Sequence, residues 1–260
     1  MKRIAALLMA MLMLTGVCAA AEIEVAKGDL HRNEELDSNV TNILVLMQDA
    51  DVTDTMMIAS INDRTGRAVM TRLSCDIEAE VDGEGTVPLG AVYALGAQGS
   101  KGPLAVRTVN ELLELNIDTY VALDLSMLPR LVEAVGALNM ELDALEAEAM
   151  HKWEGINELT GEEALAYVRL ALEDDNAARS RGYDALMQLL YQGLHSGDVM
   201  RMLSLGSTLL ESMDTNLNPF SALTLVTAVR GGDDRRELAL PGELEGVEAM
   251  REAIHREVYE

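Results

Sequence analysis

Asp49, Asp51 and Asp54 stand close together in Gln48-Asp49-Ala50-Asp51-Val52-Thr53-Asp54. They separate two apolar runs, Asn42–Met47 and Thr55–Ile61, so they fall at the end of one buried strand and the start of the next. Carboxylates at strand ends of an α/β protein are where ligands and metals usually bind. Asp also favours turns, and the same three residues read equally well as an ordinary loop. Other chemistry is thin. His31, His151, His195 and His255 are scattered without metal-ligand spacing, and there is no G-x-S-x-G elbow or P-loop. Cys75 beside Asp76 is either a reactive thiol or a small core residue.

The elements around these residues have a clear order. Asn42–Met47 is a continuous apolar run of the kind buried in a central strand. Arg67–Leu73 alternates more and follows the polar turn Asn62-Asp63-Arg64-Thr65-Gly66. Helical spacing marks Leu89–Leu95 and Leu104–Leu115, with Pro103 in the first turn of the second. Ile117–Leu125 alternates as a strand, and Ser126 is expected to cap a helix over Met127–Leu138. Met140–Leu142 is a short strand, and Glu146–Glu158 with Trp153 reads as a solvated loop or helix face. Thr160-Gly161-Glu162-Glu163 forms a capping box that opens a helix over Ala164–Leu172. A further helix runs from Ala177 to about Leu194, followed by helices over Val199–Glu211 and Phe220–Val229. A strand over Arg236–Leu240 and a helix over Val247–Val258 complete the chain. Strands alternating with helices predict an α/β fold: a central, mostly parallel or mixed β-sheet covered by helices on both faces, α-β-α. The expected divisions are a targeting segment at 1–21, a lead-in at 22–41, the α/β domain at 42–242 and a C-terminal helix at 243–260.

Composition narrows the function. The 260 residues are 49% apolar but only 3% aromatic, so the core is built from aliphatic and Met side chains. The formal net charge of −24 argues against nucleic acid, whose phosphates need a basic face, and against broad adsorption to anionic lipid. Lys2 and Arg3 precede the apolar Ile4–Leu14, and Ala19-Ala20-Ala21 offers small residues before Glu22. This pattern predicts an exported, extracytoplasmic body, either secreted after cleavage or anchored through residues 1–21. Cleavage would leave Cys75 as the single cysteine, with no internal disulfide.

Several segments in order resemble the LytR-CpsA-Psr family of cell-envelope proteins. Leu159–Arg169, LTGEEALAYVR, is similar to the family's L-N-G-x-x-A-L-A-Y-x-R signature. Asp54-Thr55-Met56 resembles its S-D-T-(I/M) motif, and Asn42–Asp49 the strand that ends in its first Asp. Ile117–Leu123, Leu131–Leu138 and Leu238–Gly242 add further likeness. The resemblance implies transfer of a glycopolymer from a polyprenyl-pyrophosphate carrier to peptidoglycan at the outer face of the cytoplasmic membrane. It also implies a lipid tunnel between sheet and helices, arginines on the pyrophosphate, and carboxylates on Mg²⁺. Pyrophosphate chemistry needs such charge neutralisation.

Carried over position by position, Asp49 and Asp54 fall on the metal-side carboxylates, and Arg169 on the first arginine of the R-x-R pair. Arg179 falls on the arginine of the D-x-x-R element. Arg169 and Asp54 are thus the candidate catalytic residues, and Arg169, Arg179 and Arg181 the candidate pyrophosphate ligands. The chain departs from the pattern elsewhere. Cys75 replaces the arginine of P-R-D, Ala171 the second arginine of R-x-R, Pro88-Leu89-Gly90 the K-I-N element, and Gly182 and Tyr183 a later Arg and Gln. Arg181 is one helical step from Gly182, a rotation of about 100°. Arg72 lies an odd number of residues from Cys75, which on a strand means the opposite face. Two readings follow: an active transferase, or a relative without catalysis that serves as a lipid- or glycopolymer-binding or regulatory module.

Overall fold

The apolar run at Asn42–Met47 forms the middle of a ten-residue strand, β1 (Val40–Asp49), buried along nearly its whole length. A strand buried on both faces needs cover on both, and the chain supplies it with two separate apolar cores. The computed structural model describes residues 23–26, 28–50, 52–170, 181–195, 213–217, 235–239 and 247–259, without the side chains of 194–195 and 235–239. Residues 1–21, Asp51, Arg179 and the helices expected at Val199–Glu211 and Phe220–Val229 therefore lie outside the described residues.

β1 pairs antiparallel with β2 (Val52–Asn62) and parallel with β6 (Thr119–Asp124). With β3 (Arg67–Leu73), β9 (Met213–Thr215) and β10 (Arg235–Ala239) they form a six-stranded sheet of order β10-β3-β2-β1-β6-β9. The sheet is mixed: β1–β2, β2–β3 and β6–β9 are antiparallel, and β1–β6 and β3–β10 are parallel. Two hairpins stand apart, β4 (Glu78–Val81) with β5 (Gly85–Pro88), and β7 (Leu138–Leu142) with β8 (Gly155–Leu159).

Val45, Met47, Met57 and Val121 point to one face, packed by α3 (Leu128–Val135), α5 (Gly161–Val168) and α6 (Arg181–His195). Leu44, Leu46, Met56 and Ile58 point to the other, under α1 (Leu89–Leu95), α2 (Lys101–Leu113) and α7 (Val247–Tyr259). Helices on both faces of one sheet give the expected α-β-α layering. α7 buries Met250, Ile254 and Val258 in the second core, so it is part of the same body rather than an appended segment.

Two local expectations are corrected. Asp124, not Ser126, caps the turn into α3: its Oδ1 accepts from the Ser126 N–H at 2.8 Å, opening a 3₁₀ turn before α3. A carboxylate at the strand end reaches the free N–H first. The stretch Glu146–Glu158 is solvated over most of its length, with Trp153 74% exposed as expected, but not throughout. It contributes to α4 (Ala144–Ala149) and forms β8, and Glu146 has no exposed area. Asp143 and Glu146 form a reciprocal cap, each side chain accepting from the other's N–H at 2.9 and 3.0 Å. The capping box at Thr160 is present as expected, with Thr160 N–H donating to Glu163 Oε2 at 2.8 Å.

Candidate functional site

β1, β3 and β6 run in one direction, and Asp49 and Asp124 end β1 and β6 at the edge where β2 begins. Asp54 reaches that edge through a β-bulge. Met47 pairs with Thr55 and Gln48 with Thr53, so Asp54 is the extra residue of β2. Thr53 turns to the α1 face, where its Oγ1 accepts from Gln48 Nε2 at 2.8 Å. Thr55, opposite Met47, turns to the α6 face, and its hydroxyl donates to Asp54 Oδ2 at 3.1 Å. The bulge thus brings Asp54 to the side that Asp49 and Thr55 share.

The first turn of α6 closes on this pair. A Cβ added at Gly182 would overlap Thr55 Oγ1 and come within 2.9 Å of Asp54 Oδ2. Glycine at a position where the resemblance expects arginine lets the helix sit close. Asp54 keeps an exposed edge. Crowding around its carboxyl is nevertheless the largest influence on its pKa, which is raised; the Asp49 charge acts the same way, and the Thr55 hydroxyl and Arg181 oppose it.

Arg169 follows the last turn of α5 and reaches across to β1. Its Nε and Nη2 donate to the two carboxylate oxygens of Asp49 at 3.0 and 2.6 Å. This fork raises the pKa of the guanidinium. The pair stays accessible, with side chains 46% and 38% exposed.

Arg181 is placed differently from expectation. Its side chain is 5% exposed, with Nε donating to Glu146 Oε1 at 3.1 Å and Nη1 to the Leu170 carbonyl at 3.0 Å. A buried guanidinium requires a buried partner, and Glu146 on α4 supplies it. Arg181 thus joins α4 to α6, and it acts on the acidic edge through its charge on Asp54.

Cys75 lies beneath the same edge on the opposite side. It packs with the second core, and its thiol donates to the Asp54 carbonyl at 3.6 Å. Burial above all, then the charges of Asp54 and Asp76, pushes the thiol up to about 12. A Cβ on Gly90 would stand 2.9 Å from Cys75 Cβ, so little room remains there for a longer side chain. Arg72 is the residue that sequence reasoning set aside. It pairs with Met57 across β2–β3 and faces α6, where its Cζ lies 5.5 Å from the Tyr183 ring centroid. Odd spacing does separate Arg72 from Cys75, but Arg72 holds the face that the acids share. Parity on β3 puts Arg72 on the face of Met70, and only the pairing with Met57 makes that the face of the acids.

A cavity of about 1110 Å³ lies on the same side of the sheet, lined by Met70, Met140, Met187, Tyr167 and Tyr183 and by the polar Glu141, Glu154, Asp184 and Gln188 among others. Tyr183 connects the two places, since it borders the cavity, lies under the Arg72 guanidinium and follows Gly182.

Among the described residues no three Asp, Glu, His or Cys side chains cluster as a complete metal site. Mg²⁺ commonly takes only one or two carboxylates, with substrate phosphates and water completing its shell. Asp49 and Asp54 fit that donor set.

The LytR_cpsA_psr family model matches residues 11–254. The chain belongs to this family. Biofilm regulatory protein A of Streptococcus mutans is 28% identical over 183 residues, 63% of this chain and 44% of that protein. Two relatives are named polyisoprenyl-teichoic acid–peptidoglycan teichoic acid transferase TagU. That of Oceanobacillus iheyensis is 25% identical over 75% of this chain and 64% of its own length. That of Enterococcus faecalis is 30% identical over 59% and 48%. The matched region thus spans between about two fifths and two thirds of these relatives. Among solved structures, TagT bound to LI-WTA superposes with a TM-score of 0.70 at 19% identity, covering 91% of this chain and 99% of that one. A TagT structure with bound octaprenyl pyrophosphate lipid gives 0.67, also at 19% identity and with the same coverage. These likenesses establish the fold.

Proposed function

We propose that this chain holds the pyrophosphate of a polyprenyl-linked glycopolymer at the Asp49–Asp54–Arg169 edge and transfers the glycopolymer to peptidoglycan. The observation that carries this reading is the Arg169 fork on Asp49. A guanidinium that grips a carboxylate with two parallel N–H groups matches a phosphate equally well. Because the pair is accessible, a phosphate oxygen can take the place of Asp49, which frees that carboxylate for a cation. Mg²⁺, when bound, would neutralise charge developing on the leaving phosphate. Asp54, whose carboxyl is held above the ordinary carboxylate range, is suited to accept the proton of an acceptor hydroxyl. Met70, Met140 and Met187 give one wall of the cavity an adaptable apolar surface for a lipid chain, while Glu141, Glu154 and Asp184 make the rest of it polar. Residues 1–21 would carry the body to the outer face of the cytoplasmic membrane. The names of the TagU relatives and the octaprenyl pyrophosphate in the TagT structure support the same substrate class.

A second reading has its own observation. Arg181 is engaged by Glu146, and an uncharged Cys75 occupies the position of a family arginine. A chain so depleted would bind the carrier without transferring from it.

Thermal melting with a polyprenyl pyrophosphate, with and without Mg²⁺, separates the two. Ligand at 100 times its dissociation constant stabilises by about 2.7 kcal/mol. A Mg²⁺-dependent shift is the expected result, together with release of polyprenyl phosphate when the carrier bears a glycopolymer and peptidoglycan is added as the hydroxyl acceptor. A Mg²⁺-independent shift without turnover favours the binding module, and no shift sinks both readings. Arg169→Ala should abolish the shift and leave the unliganded melt unchanged, because exposed ion pairs contribute little to stability.

A further inference from the structure

With 44 acidic and 20 basic side chains, this protein rarely leaves a guanidinium without a carboxylate. Arg32, Arg64, Arg107, Arg169, Arg181 and Arg251 each lie within 3.7 Å of one. Arg72 is different. It is half-buried on β3, and among the described residues its guanidinium meets only the ring of Tyr183, at 5.5 Å.

We propose that Arg72 is a second arginine for the anionic phosphorus group, facing it from the β3 side while Arg169 faces it from α5. This inference rests on the pyrophosphate reading of the acidic edge. Three placements support it. The register sets Arg72 opposite Met57, two residues along β2 from Thr55 and on the same face, a diagonal of about 7–8 Å between backbones that an arginine side chain spans. A guanidinium over the Tyr183 ring meets a π-face and no acceptor there, so its N–H donors remain for a phosphate. Tyr183 is also fixed in place, since Gly182 before it packs on Thr55 and Asp54. The cation therefore lies between the acidic edge and the cavity, where a pyrophosphate joined to a lipid must pass. The positive charge absent at Cys75, on the α1 face, reappears at Arg72 on the α6 face.

The test is binding of geranylgeranyl pyrophosphate and geranylgeranyl monophosphate to the wild-type chain and to Arg72→Gln, Arg72→Lys and Arg169→Ala, each checked for folding by its melt. Arg72→Gln should weaken pyrophosphate binding about tenfold or more, as expected for loss of a charge-assisted contact. It should weaken monophosphate binding much less, so the preference between the two ligands falls. Arg72→Lys should restore part of the affinity, since charge returns without the planar fork. Wild-type affinity and preference in Arg72→Gln would overturn the inference, as would equal losses for both ligands, which would mean a packing role alone. If Arg169→Ala loses binding while Arg72→Gln does not, only this inference falls. If wild type binds neither ligand, the pyrophosphate reading falls with it.

Discussion

Asp54 sits where its own charge is disfavoured, with crowding and Asp49 together outweighing Thr55 and Arg181. A carboxyl whose pKa is raised in the fold favours the native state most when protonated. That contribution is fully present below the ordinary Asp range and is lost as pH rises through the raised value. Asp54→Asn resembles the protonated form at every pH. It should melt slightly above wild type at neutral pH, with the margin closing on acidification; a margin that widened instead would refute the account. Cys75 has the opposite chemical character from a reactive thiol. With its pKa pushed up to about 12, it should alkylate at pH 8 about a thousandfold more slowly than a free cysteine, since only the thiolate reacts. Labelling within a few-fold of the free rate would contradict its burial. At this scale Asp49, Asp54 and Arg169 were legible as a group, because a family motif carries each of them. Arg72 was not, because no motif holds it and its face is defined by a partner strand.

The element that depends most on a distant partner is α6. Its first residue, Arg181, is held by Glu146, which also closes the cap of α4. Removing one member of a buried pair leaves an uncompensated charge, at a cost of about 3–5 kcal/mol. Glu146→Ala should destabilise by about that much in urea unfolding, and the double change Glu146→Leu with Arg181→Met should cost less than the single one. A loss below about 1 kcal/mol for Glu146→Ala would mean that the pair is not buried in solution. This pairing also explains a misreading. An acidic run such as Glu146–Glu158 looks solvated when read locally, and only an arginine brought in by the tertiary fold makes one of its members a core residue. The Thr160 capping box, by contrast, is closed within four residues, and local sequence was enough to place it.

For the whole molecule, the order of strands and helices was readable because β1 and β2 each carry a continuous apolar run and β6 alternates. The sheet's mixed pairing and the cover of one face by α7 depend on contacts between residues far apart in sequence, and periodicity carries no record of those. The bulge was equally hidden, since composition does not reveal which residue of a strand has no partner. It has a consequence for how the gene can change. On either side of Asp54 the ladder is already in step, with Gln48 opposite Thr53 and Met47 opposite Thr55. An in-frame loss of the Asp54 codon would join two threonines that already face opposite ways, and every later side chain of β2 would keep its face. Loss of the Ala59 codon would turn over either the buried run before it, Thr55–Ile58, or everything after it, depending on which side slips. Chains lacking Asp54 should therefore fold and melt near wild type, while chains lacking Ala59 should not fold; failure of the first would show that the bulge serves the architecture as well as the site. Heredity can delete this carboxylate cleanly, so its retention in a working copy would reflect selection on what the edge does.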